Sequence, residues 1–362
     1  MFGRKFAEVM HLMGCTQLHS DPCIYIWERD GIKIFVPVFV DDITLASKSK
    51  EAQDAFVAEL ATYFKLQDLG PTSFLLGIEI IRDRPKCRLY LSQRQYIVNK
   101  LAEFGMTDCK PVGTPMTPGL QLSKEESPKT EEEVEEMRNI PYMNAVGSLL
   151  YLATTSRPDI AYIAGVLARF NSNPGVAHWK AVKHAFRYLK GTLDMKLEYG
   201  ADEDTEELFV TFCDADHGGN PDNGKSTSGI LVKVGRGAVI WTSKLQSIVT
   251  LSTTEAEHVA GVVGGKEICW MRNLMLELGY KIKGPSQLWM DSQSSMSVAK
   301  SPEHHEQMKH LDLHFYWLRD EVERRTIELM YLQTDDMLAD LLTKYLPKPK
   351  VEKLQEVMRF VL

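Results

Sequence analysis

Between Leu208 and Tyr345 the chain reads as three strands, a long helix, a strand, two helices, a strand and a short helix. A run of adjacent strands followed by strands separated by helices can bury its apolar faces only as a mixed sheet covered by helices, an α/β layer arrangement. Leu208–Cys213, Ser228–Val234 and Ala238–Thr242 are the first three strands, the last two joined through Gly235-Arg236-Gly237. Glu255–Leu278 carries helical apolar spacing, with Ser252, Thr253 and Thr254 as capping candidates. Ser286–Met290 is a short buried strand, followed by helices to Lys300 and over Leu311–Arg324. Thr326–Leu332 is a strand and Asp336–Tyr345 a final helix.

The preceding sequence is organised differently. Phe6–Met13 reads as a helix stopped by Gly14. Cys23–Trp27 and Ile34–Val40 read as strands around Asp30-Gly31, two residues that tolerate positive φ and so favour a hairpin. Ile43–Ala46 is a third strand, Ala52–Phe64 a helix, Gly77–Ile81 and Arg88–Leu91 another hairpin, and Gln93–Phe104 a helix ended by Gly105. From Thr107 to Asn139 prolines, glycines and an acidic run replace apolar residues, which predicts a solvated linker. Helices follow over Tyr142–Thr154, Asp159–Phe170 and Ala177–Leu189.

Composition narrows the function classes. No apolar run reaches the roughly 20 residues that span a bilayer, so no membrane partner is expected. The six cysteines are scattered without a C-x-x-C pair, which fits free thiols in a reducing interior, cytoplasmic or nuclear. A net charge of −7 does not advertise nucleic-acid binding, so such a partner must be held by local basic patches or through metal ions.

Acids stand where chains normally avoid them. Asp41-Asp42 lies at the turn between two apolar strands, where adjacent carboxylates repel unless a cation screens them; a plain turn-favouring pair is the simpler reading of these two alone. Asp214 ends a strand, Glu257 lies near the start of the long helix, Asp291 ends a later strand, and Asp340 opens the last helix. Residues beyond the carboxyl ends of strands gather at one sheet edge. Four hard oxygen ligands meeting there would suit two Mg²⁺ or Mn²⁺ ions roughly 4 Å apart, the arrangement for in-line phosphodiester hydrolysis.

These blocks carry a resemblance. Phe39-Val40-Asp41-Asp42, Leu76-Gly77-Ile78-Glu79-Ile80, Leu91-Ser92-Gln93, Val146–Leu152, Thr155–Ala161, His178-Trp179 and Arg187–Thr192 resemble the reverse transcriptase of Ty1/copia-type LTR retrotransposons. Asp214-Ala215-Asp216, Ser226–Gly229, Trp241–Lys244, Ser252–Glu257, Asp291–Ser295, Lys309–Asp312 and Leu338–Lys344 resemble that family's ribonuclease H. The resemblance implies a partial reverse-transcriptase palm and start of the thumb over 1–106, an acidic linker over 107–139 and a helical thumb/connection region over 140–200. It implies a ribonuclease H-like mixed-sheet domain over 205–345 and a helical tail over 346–362.

The same resemblance implies metal-dependent cleavage of RNA in RNA/DNA hybrids. Asp214, Glu257, Asp291 and Asp340 would be the catalytic metal ligands, with Glu257 preferred to Glu255 because Ala260 follows at the family's offset. Asp216 is an alternative in a supporting place. Asp41 and Asp42 match two of the family's three polymerase aspartates; the third falls on a strand that would precede Met1, so the chain alone is expected not to polymerise. Upstream Pol segments, fingers and integrase, would be its partners. Phe39, His217, Leu245 and His258 depart from the family pattern and bear on substrate grip more than on metal chemistry.

Lys180, Lys183, Arg187 and Lys190 share a basic, aromatic-bearing helix that reads equally as a solvated face or as a stripe gripping a template–primer duplex. His304-His305 and His310/His314 lack the Cys or Glu partners of a zinc site, so packing or phosphate contact is expected. Lys344, Lys348, Lys350 and Lys353 read as a soluble tail. The competing function is a non-catalytic remnant that binds nucleic acid or protein.

Overall fold

The computed structural model describes residues 2–201, 207–300, 312–358 and 360–361. They form an α/β protein with three five-stranded sheets, divided into two compact units: residues 1–72 with 269–283, and 73–268 with 284–362.

In the first unit helix α1 (Phe2–Leu12) ends at Gly14, whose φ of 80° suits glycine. Strands β1 (Thr16–Gln17), β2 (Ile24–Arg29), β3 (Ile32–Phe39), β4 (Asp42–Ile43) and β5 (Ala46–Ser47) form one sheet, and helix α2 (Lys50–Leu60) covers it. Asp30 and Gly31 both have positive φ, 53° and 76°, so a two-residue turn sets the register Arg29↔Ile32. Phe6, Met10, Trp27, Ile34, Val36 and Phe56 close the core between helices and sheet. Residues 269–283 join this unit through Glu277, whose carboxylate accepts from His19 N at 2.8 Å and from Ser20 N at 3.1 Å.

The second unit begins with strands β6 (Phe74–Leu75), β7 (Ile78–Asp83) and β8 (Arg88–Ser92), continued antiparallel by β9 (Lys196–Tyr199) and the terminal strand Phe360–Val361. The chain is therefore not cut near residue 106: β8 pairs with β9, and α3 (Arg94–Glu103) packs in the same core as the helices that follow. Of these, α4 (Glu131–Met137) precedes the three that share that core, α5 (Tyr142–Thr155), α6 (Ala161–Ala168) and α7 (Val176–Gly191). Leu149, Leu152, Ile163, Leu167, Val182, Phe186 and Leu189 fill the space between them.

Residues 107–139 are more than a solvated linker. Met116, Leu122 and Met137 are buried, and the backbone is fixed by capping boxes at Ser123 and Thr130. The expected tail is also built in. Helix α11 (Lys348–Val357) buries Val351 and Leu354, and its Gln355 donates to Asp159 Oδ2 at 3.0 Å. Asp159 is held by a bidentate bond from Arg157 (2.9 and 2.8 Å) and by Tyr188 Oη at 2.6 Å. Removing either partner of this buried pair would leave the other charge buried and unpaired.

The third sheet contains β10 (Phe209–Ala215), β11 (Thr227–Val234), β12 (Gly237–Leu245), β13 (Ser286–Met290) and β14 (Ile327–Tyr331), in the order β12-β11-β10-β13-β14. The first three make an antiparallel meander; β13 and β14 are parallel to β10, the pairing that needs helical crossovers. Helix α8 (Thr253–Glu277) supplies the first crossover, and α9 (Gln293–Lys300) and α10 (Asp312–Glu323) the second. Gly264 lets α8 approach the sheet: a Cβ there would stand 3.0 Å from Leu288 Cδ1 and 3.4 Å from Cys213 Cβ. The helix expected over Asp336–Tyr345 is instead two 3₁₀ turns, Thr334–Asp336 and Leu338–Leu342. Backbone bonds from Thr343 and Lys344 both close on the Asp340 carbonyl, tightening the segment against β11.

Candidate metal centre

Asp214 lies near the end of β10 and Asp291 just beyond β13. The two strands are parallel, with Thr211 beside Leu288, so each acid stands three residues past a paired position, at one level of the same sheet edge. Glu257 sits in the first turns of α8, seven residues before the close approach at Gly264. The three carboxylates offer oxygens that all lie within 4.8 Å of one another.

Asp214 and Glu257 are buried, 1% and 6% exposed. Asp214 Oδ1 and Glu257 Oε2 are buried without a hydrogen-bond partner. Asp214 Oδ2 accepts from Thr343 Oγ1, and Asp291 Oδ2 accepts from Thr334 Oγ1 at 2.9 Å, which fixes both carboxylates. Glu255 is excluded from the group because its carboxylate accepts from Leu251 N at 2.6 Å, capping the helix it begins. Asp216 serves the loop after β10, accepting from Thr227 N.

Electrostatics show what the trio lacks. Burial, then the Asp214 and Asp291 charges, push Glu257 up to about 9. Asp214 rises to about 6, chiefly by burial, with Lys344 pulling it back and Asp340 adding to the rise. Carboxylates this close in a low dielectric take up protons unless a cation compensates them. Orphaned hard oxygens with depressed acidity fit a divalent ion of the Mg²⁺ or Mn²⁺ type.

Asp340 is not brought into the trio. It is fully buried, and two lysines hold it: Lys344 Nζ is 2.8 Å from Oδ1 and Lys350 Nζ donates to Oδ2 at 2.6 Å. Lys344 Nζ also lies 3.4 Å from Asp214 Oδ2. Burial works against the Lys344 ammonium, but the Asp214 and Asp340 carboxylates outweigh it and push its pKa up. Lys350 therefore belongs to the site and not to a soluble tail. Gly229 makes room for this segment. It faces Asp214 across β10–β11, and a Cβ there would meet Thr343 Cγ2 at 2.7 Å and Ala339 O at 2.8 Å. In the sequence, the i, i+4 spacing of Asp340 and Lys344 was a usable signal. Nothing local pointed to Lys350.

The other acids stay apart. Asp41 and Asp42 are exposed beside the β3–β4 turn, where Val40 takes φ 53°, and among the described residues no third ligand joins them. Of the basic helix, Lys190 Nζ donates to Thr107 O (2.6 Å) and Cys109 O (2.7 Å), and Arg187 Nε to Lys110 O (2.7 Å), so both bind the chain's own backbone. Lys180 and Lys183 line a groove of about 810 Å³ beside that segment. His304, His305 and His310 lie outside the described residues, as does the side chain of His314. His217 is exposed, Leu245 half-buried and His258 buried.

Residues 1–118 match the family model for reverse transcriptase (RNA-dependent DNA polymerase). The chain is 38% identical over 355 residues to a retrovirus-related Pol polyprotein from transposon TNT 1-94 of Nicotiana tabacum, covering 98% of this chain and 26% of that protein. It is 31% identical over 248 residues to a transposon Ty5-1 protein of Saccharomyces cerevisiae, covering 68% of this chain and 78% of that one. Among solved structures, LC11-RNase H1 in complex with RNA/DNA hybrid aligns with 37% of this chain and 93% of its own, at 14% identity and a TM-score of 0.28. The chain spans about a quarter of the length of the Pol polyproteins it matches in tobacco and Arabidopsis thaliana. By these relatives, and by motifs collinear through nearly its whole length, the chain belongs to the Ty1/copia-type retrotransposon Pol polyprotein family.

Proposed function

We propose that residues 209–344 cut the RNA strand of RNA/DNA hybrids with a divalent cation held by Asp214, Glu257 and Asp291. The observation that carries this reading is the meeting of three carboxylates at one sheet edge, two of them with buried, unpartnered oxygens. A bound divalent cation supplies activation of water and stabilisation of charge on the departing oxygen. The chain's residues do the rest: Thr343 and Thr334 orient Asp214 and Asp291, and the sheet edge presents the trio to a phosphodiester. Family membership and the ribonuclease H-like motifs support a hybrid as substrate, recognised by its A-like shape and 2′-hydroxyls. Lys180 and Lys183, which are not tied to backbone carbonyls by the bonds that hold Arg187 and Lys190, would contact phosphates.

The test is a substrate panel: a labelled RNA/DNA hybrid, the matching double-stranded RNA and single-stranded RNA, each with Mg²⁺, Mn²⁺ or chelator. Cleavage of the hybrid alone, abolished by chelator, supports the reading. Metal-independent cleavage, or no cleavage of the hybrid under any condition, overturns it and leaves a binding remnant.

A further inference from the structure

We propose that Lys350 is a positioning residue for hybrid cleavage: from helix α11, beyond the third sheet, it fixes the turn through which Thr334 orients Asp291. The inference rests on the divalent-cation reading of the site. Helix α11 is placed by contacts that involve none of the acids of the centre. Val351, Leu354 and Met358 are buried in one cluster with Leu338, Leu341 and Leu342 of the 3₁₀ segment and Leu197 of β9. Gln355 donates to Asp159 Oδ2 at 3.0 Å in the helical core, and Phe360 pairs with Leu197. The lysines of this helix therefore start from a fixed backbone, and a bond made by one of them has only its own side chain to order.

Lys350 uses that platform at two points. Its ammonium, on a side chain 19% exposed, donates to Thr334 O at 2.9 Å and to Asp340 Oδ2 at 2.6 Å. Thr334 is the residue whose Oγ1 donates to Asp291 Oδ2 at 2.9 Å. The two 3₁₀ turns are weakly closed on their own: Met337 N reaches Thr334 O, and Asp340 N reaches Met337 O, only at 3.3 Å. A charge-assisted bond at 2.9 Å is stronger than either. One ammonium thus ties the start of the first turn to the second, and sets where the Thr334 hydroxyl stands against Asp291.

Lys353, three residues further along α11, is the internal comparison. It grips the same segment, at Asp335 O (3.2 Å) and Asp336 Oδ1 (2.6 Å), and among the described residues it bonds neither Thr334 nor Asp340. A helix that merely buttresses the segment needs both lysines equally. A positioning path through Thr334 needs Lys350 alone.

The experiment measures Mg²⁺-dependent cleavage of a labelled RNA/DNA hybrid by the full chain, with amide hydrogen exchange over residues 334–340 in chelator as a second readout. Lys350→Met is expected to lower kcat about 10-fold or more with KM within about threefold, and to speed exchange of the Met337 and Asp340 amides. Lys350→Arg keeps a charged donor and should restore kcat to within about threefold of wild type. Lys353→Met should match wild type in both kcat and KM. Thr334→Val should lower kcat as Lys350→Met does, and the double variant should lose no more than the larger single loss. Equal losses in Lys350→Met and Lys353→Met, a loss carried by KM, or a full kcat in folded Thr334→Val would overturn the proposal while leaving the nuclease reading standing. Should Lys350→Met fail to fold, Thr334→Val and Lys350→Arg decide the question. No cleavage by the wild type would overturn the nuclease reading itself. Exchange in Lys350→Met then still tests the placement of Thr334, and unchanged rates would sink it.

Discussion

At the scale of single residues, the distinction between Glu255 and Glu257 is informative. They are two apart on one helix, and burial hides both. One caps the helix start and the other faces two more carboxylates. Sequence could rank them only by resemblance, since a capping Glu and a ligand Glu look alike without the partner strands. The environment of Glu257 has a consequence for stability. Its carboxyl holds its proton to about pH 9 when folded, and releases it near the ordinary carboxylate value when unfolded. The folded state therefore binds the extra proton between those limits, and metal-free stability falls as pH rises through that window. Glu257→Gln removes the dependence. At pH 8 with chelator it should be more stable than wild type by about 1–3 kcal/mol, measured by urea melts at several pH values. A variant less stable than wild type there would contradict the assigned burial.

At the scale of elements, strands and helices with a clear period were legible. The Asp30-Gly31 hairpin, β13 and the long α8 lie where spacing and turn residues put them. The 3₁₀ segment carrying Asp340 was not, because its tightness comes from packing on β11 and not from local propensity. Gly229 appeared in the sequence as part of a motif without a task. Its task is to lack a side chain where Ala339 O and Leu342 Cβ approach. Gly229→Ala should cost about 1–3 kcal/mol in a denaturant melt, since the nearest obstacle includes backbone that cannot rotate away. Serial loss of divalent-ion affinity should accompany it. An unperturbed melt would show that the segment does not depend on this contact.

At the scale of the whole molecule, the acidic run and the lysine-rich end read as solvent-exposed because their composition is polar, yet both carry sparse apolar residues that anchor them. Met116 and Leu122 are single buried residues in polar surroundings, while Val351, Leu354 and Met358 recur at helical spacing among charged residues that hide the stripe. Compact units likewise break at residue 72 and not near 106, because β8 finds its partner β9 more than a hundred residues later, a pairing no local signal announces. The Asp41–Asp42 pair belongs to the first unit and stands exposed without a third ligand among the described residues. Primer extension on a homopolymer template by this chain should therefore give no incorporation above background. Incorporation that disappears in Asp41→Ala would contradict that expectation.

The most direct test compares Mg²⁺-dependent cleavage of a labelled RNA/DNA hybrid by the chain and by Asp291→Asn, a substitution that keeps shape and removes one ligand charge. The account predicts cleavage by the wild type and a loss of about 100-fold or more in the variant. Equal rates would contradict it.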